Sequence, residues 1–166
     1  LQLKDTAPSH SRFLYFQKTI ESLKGTTDIE LTQRIHNLYW DAYLNQMKLY
    51  VGVIDFFKQL KDAGIKIVIA SNLTTEIQFK KLIHLSIDKY IDFVVTSEEA
   101  GQDKPGEPVF LLALEKLGLP KEEIVLIGDE PGADIQGAKT FGIKCILVNN
   151  GNFKDVIESF KNLNSL

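Results

Sequence analysis

At 166 residues, 44% of them hydrophobic and 25% charged, the chain can bury one core and is too ordinary in composition for a disordered, collagen-like or coiled-coil protein. Nineteen basic side chains against 22 acidic ones leave a net charge of −3, which excludes a broad basic face for nucleic acid or an anionic membrane. The single cysteine, Cys145, excludes an intrachain disulfide and a cysteine-built zinc site. It points to a reducing, cytoplasmic compartment. No apolar run approaches a membrane span, and the first residues lack a signal-peptide profile.

In chain order, residues 1–50 read as helical. Phe13, Phe16, Ile20 and Leu23 recur at spacings of three and four, with Ser11 to cap the start and Gly25 to stop the helix. A second stripe, Leu31, Ile35, Leu38 and Ala42, predicts a partner helix capped by Thr27 or Asp28. Here Leu38 and Ala42 supply the packing, which leaves Tyr39, Trp40 and Tyr43 to face a cleft. Beyond residue 50 the pattern alternates. Helices are expected over 53–62, 75–85, 108–117, 131–141 and 154–163, and buried strands over 65–70, 93–96, 124–127 and 145–148. Strand–helix alternation implies right-handed βαβ units. The expected fold is therefore α/β: a doubly wound, mostly parallel Rossmann-like sheet over 51–166, with a partial α-helical cap over 1–50.

Parallel strands line up their carboxyl ends along one edge, where ligands of such sheets bind. Ser71-Asn72 follow the first strand, next to a helix N-terminus suited to phosphate but equally suited to plain capping. Lys104-Pro105 follow the second, and a lysine held there neutralises phosphate charge. Asp129, Glu130 and Asp134 follow the third. Three carboxylates within six residues repel one another unless a hard cation such as Mg²⁺ joins them, although capping and the helix dipole explain Glu130 and Asp134 as well. Asn149-Asn150-Gly151 reads as a turn bordering the same edge. Residues 132–140, GADIQGAKT, miss a P-loop because Ala138 separates the glycine from the lysine. His10, His36 and His84 are too scattered for a metal site.

The ordered set resembles the haloacid dehalogenase superfamily of phosphohydrolases over about residues 50–150. Ser71-Asn72 is similar to its second motif, Lys104 within GQDKPGEPVF to its third, and Asp129 with Asp134 in GDEPGAD to its fourth. SEEAGQDKP and SRFLYF are reminiscent of the nucleotidase and sugar-acid phosphatase branch. The resemblance implies a Mg²⁺-dependent phosphomonoesterase acting through an aspartyl-phosphate on a small phosphorylated metabolite. It implies phosphate binding by Ser71, Asn72 and Lys104, and metal binding by Asp129 and, less directly, Asp134. One motif is missing. The chain contains no Asp-x-Asp, the pair that supplies the superfamily's nucleophile from a central strand ahead of the cap. The expectation is a chain lacking that strand, inactive alone, with the gap filled by another chain's strand, by strand exchange in a homo-oligomer, or by a shifted sheet. The alternatives are a non-catalytic remnant that binds phosphate or a partner, and a receiver-like signalling domain. The latter is disfavoured because Lys104 precedes the acidic cluster.

Overall fold

The computed structural model describes residues 7–149 and 153–163. Helix α1 (Arg12–Lys24) starts where Ser11 Oγ accepts from the Leu14 N–H at 3.3 Å, and it ends at Gly25, whose φ of 69° is left-handed. Helix α2 (Ile29–Gln46) is capped by Asp28, which accepts from the Leu31 N–H at 3.0 Å. Its buried face is Thr32, His36 and Trp40, not the expected stripe: Leu38 is 66% exposed and Ala42 is exposed too. The rings bury more area per residue than Leu38 and Ala42 do, so they set the phase of the helix. His36 meets Phe13 of α1 edge-on at 4.9 Å, and Trp40 packs with Leu73 and Ile77 of the following α/β part.

That part runs α3 (Val53–Asp62), β1 (Val68–Ser71), α4 (Thr75–His84), β2 (Phe93–Thr96), α5 (Ser97–Ala100), α6 (Glu107–Leu117) and β3 (Val125–Gly128). A π-helical turn (Pro131–Gln136), α7 (Gly137–Phe141), β4 (Lys144–Leu147) and α8 (Phe153–Leu163) complete it. The first strand begins later than its apolar run. The Ile65 N–H turns back to the Leu60 carbonyl at 2.8 Å and the Ile67 N–H goes to Asp92 at 2.7 Å, so 65–67 form the corner between α3 and β1. Of the turn expected at 149–151, residues 150 and 151 lie outside the described residues.

The strands pair in parallel, but they form two separate pairs, β1 with β2 and β3 with β4, in place of the single sheet expected. Backbone alternation shows what lies between the pairs. The Ile67 carbonyl accepts from Phe93, so Ile67, Ile69 and Ser71 turn towards β2, while Val68 and Ala70 turn to the opposite edge. The Gly128 carbonyl accepts from Val148, so Leu126 and Gly128 face β4, while Val125 and Ile127 face away. Thus β1 and β3 each present an open inner edge. Two apolar layers hold the pairs together. On one face Phe56, Leu60 and Ile67 pack with Ile127, Phe153, Ile157 and Phe160, so α3 and α8 touch both pairs. On the other face Phe110, Ala138 and Ile143 pack with Leu126, Phe141 and Cys145 from α6, α7 and their strands. Helices on both faces of parallel strands are the α/β arrangement expected.

Candidate active site

Asn72 leaves β1 and grips the loop that carries Lys104. Its Oδ1 accepts from the Lys104 N–H at 2.7 Å, and its Nδ2 donates to the Lys104 carbonyl at 2.9 Å. The amide expected to meet phosphate therefore spends one acceptor and one donor on backbone and acts first as a positioning group. The Lys104 side chain is 9% exposed and reaches back across the strand ends. Its ammonium donates to the Ala70 carbonyl at 2.7 Å and to Asp134 Oδ1 at 2.6 Å. Two of its three hydrogens are placed in these bonds, which leaves one further donor on the ammonium.

Asp134 arrives from the other strand pair. The π-turn widens the start of this helix, and Asp134, 7% exposed, turns inward, where its Oδ2 accepts from the Glu130 N–H at 3.2 Å. Two glycines make the approach possible. A Cβ on Gly128 would lie 2.5 Å from Asp134 Oδ2. A Cβ on Gly137 would lie 2.9 Å from Phe110 Cζ and 3.1 Å from Pro105 Cα, so Gly137 lets α7 close on the Lys104–Pro105 loop.

The other expected residues are placed unequally. Ser71 ends β1 half-buried, in register with Thr96. Asp129 is exposed on the residue between Gly128 and Glu130, beside Asp134. The three carboxylates do not crowd together: Asp129 and Glu130 face solvent, Asp134 pairs with Lys104, and among the described residues no three His, Cys, Asp or Glu side chains converge. Magnesium is commonly held by one or two carboxylates, with water and phosphate completing its octahedron. The hard oxygens of Asp129 and Asp134 suit that donor set. At the α4 N-terminus the Thr75 N–H already donates to Glu98 at 2.8 Å, so that amide is taken. Tyr39 and Tyr43, but not Trp40, line a groove of about 420 Å³ with Ala42, Gln46 and Met47.

Asp103 is the residue that sequence reasoning passed over. It is 8% exposed, and its Oδ2 accepts from Ser9 Oγ at 2.9 Å and meets His10 Nε2 at 3.1 Å. It ties the turn before α1 to the loop of Lys104. Its only sequence signal is adjacency to Lys104.

Helices on both faces of parallel strands, with a buried lysine–carboxylate pair at the strand ends, define an α/β protein with a polar site at the carboxyl edge of its strands. The chain belongs to the haloacid dehalogenase-like hydrolases, whose family model matches residues 6–148. It is 38% identical over 154 residues to the ribulose-1,5-bisphosphate 5-phosphatase of Halopiger xanaduensis, a match covering 93% of this chain and 64% of that protein. It is 30% identical over 155 residues to the glyceraldehyde 3-phosphate phosphatase of Methanopyrus kandleri, covering 93% and 65%. The chain thus spans just under two thirds of the length of these relatives. In fold it matches YfnB, a HAD-hydrolase of Bacillus subtilis bound to magnesium, with a TM-score of 0.67 and 21% identity over 84% of this chain and 63% of that one.

Proposed function

We propose that this chain supplies the phosphate-binding and metal-binding half of a phosphomonoesterase for a small phosphorylated metabolite. The observation that carries the reading is the buried Lys104 ammonium, held between Ala70 of β1 and Asp134 beyond β3 with one hydrogen left over. Lys104 binds a phosphate oxygen, Ser71 adds its hydroxyl, and Asn72 fixes the lysine backbone while lending its second N–H. Asp129, with Asp134 behind it, holds Mg²⁺. Charge supports this assignment. The buried Lys104 ammonium already pairs with Asp134, and Asp129 and Glu130 add negative charge on the neighbouring loop, so a phosphate dianion is repelled unless a divalent cation joins it. When bound, the ion screens the phosphate charge. The two relatives named above act, by their names, on small phosphorylated carbon compounds, and that is the substrate class we assign.

No residue of this chain is assigned as nucleophile, since it holds no Asp-x-Asp. The inner edges at Val68, Val125 and Ile127, next to the Ala70 carbonyl that Lys104 takes, suit one more parallel strand, apolar on both faces because helices cover both sides. We place the attacking carboxylate on that strand. Its oxygen bonds to phosphorus, the ester P–O bond breaks, and the leaving oxygen takes a proton from the second carboxyl group of that strand's Asp-x-Asp to depart as the alcohol. Water then cleaves the acyl phosphate. Helices 12–46 form the cap in this reading, and 53–163 the core.

The test is phosphate release from an aryl phosphate with Mg²⁺, for the chain alone and with an added peptide of the form apolar strand–DxDxT. Negligible turnover alone and release with the peptide are expected. Robust turnover by the chain alone would overturn the missing nucleophile. Phosphate binding without release in either case would favour the binding-only remnant.

A further inference from the structure

We propose that the contact between α2 and the start of α4 is a pH-sensitive latch, closed while His36 is neutral and opened when His36 takes a proton. His36 and Trp40 stand one turn apart on the buried face of α2, 9% and 6% exposed. His36 Nδ1 and Trp40 Nε1 both lack a hydrogen-bond partner. Buried polar atoms are almost always paired, so two orphans one turn apart on one helix face mark a place where these side chains add no hydrogen bond to the packing. The apolar part of that contact is small: Trp40 with Leu73 and Ile77. Its position matters, because Leu73 directly follows Asn72, the residue that grips Lys104.

The surroundings of His36 set the sign. From α1 it meets the ring of Phe13, which offers no charge. The charged groups that act on it are both on α4. Glu76 favours the imidazolium and Lys80 disfavours it, and these two are paired with each other at 2.6 Å. Burial outweighs both and holds the imidazole below the ordinary histidine value of 6.5. The closed contact therefore binds a proton less readily than the open one. Its stability is fully present above the ordinary value and declines as pH falls below it. In that range each pH unit shifts the balance about tenfold towards the open form, until the closed form also titrates.

Trp40 is the only tryptophan in the chain, so its fluorescence reports the surroundings of that one ring, Leu73 and Ile77 on one side and Tyr39 and Tyr43 of its own helix on the other. The experiment is an emission titration of the full chain from pH 8 to 4.5 (a span set by the ordinary histidine range), with far-ultraviolet circular dichroism followed in parallel. The expected result is a red shift of Trp40 emission below the ordinary histidine range while helical ellipticity is retained. The shift should be lost in His36→Gln and kept in His10→Gln and His84→Gln. A shift that persists in His36→Gln, or that appears only as ellipticity collapses, would overturn the proposal. Should His36→Gln fail to fold, proton NMR of the wild-type histidine rings decides. His36 must then titrate below the ordinary histidine value and in step with the Trp40 shift, and a His36 titration at or above that value refutes the latch.

Discussion

Two lysines cap two edges of the same strand pair, and their difference separates protection from function. On the outer edge of β2, Lys116 donates to the Val94 carbonyl at 2.8 Å and to a Glu99 carboxylate oxygen at 2.7 Å. On the inner edge of β1, Lys104 donates to the Ala70 carbonyl at 2.7 Å and to Asp134 at 2.6 Å. The pattern is the same: a strand carbonyl and a carboxylate share one ammonium. The surroundings differ. The side chains of Lys116 and Glu99 are 24% and 42% exposed, whereas those of Lys104 and Asp134 are 9% and 10%. A half-wet lysine on an outer edge discourages strand addition at little cost. A buried ion pair must overcome the desolvation of two charges, so it is weak evidence of stability for its own sake. Its position at the strand ends fits the use assigned to it above.

The sharpest way to test the comparison is to remove the inner lysine. Lys104→Met leaves Asp134 buried without a cation and the Ala70 carbonyl without its donor. Breaking one side of a buried pair costs about 3–5 kcal/mol, so urea unfolding should show a loss of that order, and added salt should change it little. A loss below about 1 kcal/mol would mean that Asp134 finds water, and that the inner pair is no different in kind from the outer one. Gly137→Ala comes next. The added methyl meets Phe110 and the Pro105 backbone at about 3 Å, close enough that α7 or the loop must move. Overpacking of this kind costs about 1–3 kcal/mol. Because the loop that would move carries Lys104, the same variant should lose phosphate release in the peptide-complemented assay by more than its stability loss explains.

The part of this site that was legible in the sequence is the part set by local chemistry. Strand-end residues Ser71, Lys104, Asp129 and Asp134 could be placed because apolar runs mark strands and parallel strands align their ends. The cap Ser11, and Asp28 as one of two candidates with Thr27, were readable because side-chain oxygens at such positions serve backbone three residues away. What was not legible depends on contacts distant in sequence. Asn72 bonds a backbone 32 residues on, and Asp103 meets Ser9 and His10 more than 90 residues back. No spacing rule encodes either contact. The face of α2 was misread because two stripes compete on one helix. Leu38 fits the periodicity, but Trp40 has Leu73 and Ile77 to pack against, and only the tertiary partner decides between them. The break between the strand pairs was not legible either, because an apolar run marks a strand but not its neighbour in the sheet.

Removal of the outer lysine gives the smallest effect and completes the contrast. In Lys116→Met, Glu99 is left facing solvent and the Val94 carbonyl lies on an edge that water can reach. Both groups are rehydrated, so neither suffers the penalty of a buried orphan. The unfolding free energy should fall by no more than about 1 kcal/mol, and the difference from wild type should shrink as salt rises, since exposed pairs are screened. Phosphate release with the complementing peptide should be unchanged. The more telling consequence concerns association. Val94 faces outward with its neighbouring strand on the other side, so loss of the lysine uncovers a strand edge. Concentration-dependent self-association in Lys116→Met, absent in the wild type by sedimentation, would show that this lysine guards an edge. Equal monomer fractions in the two proteins would leave it only its pair with Glu99.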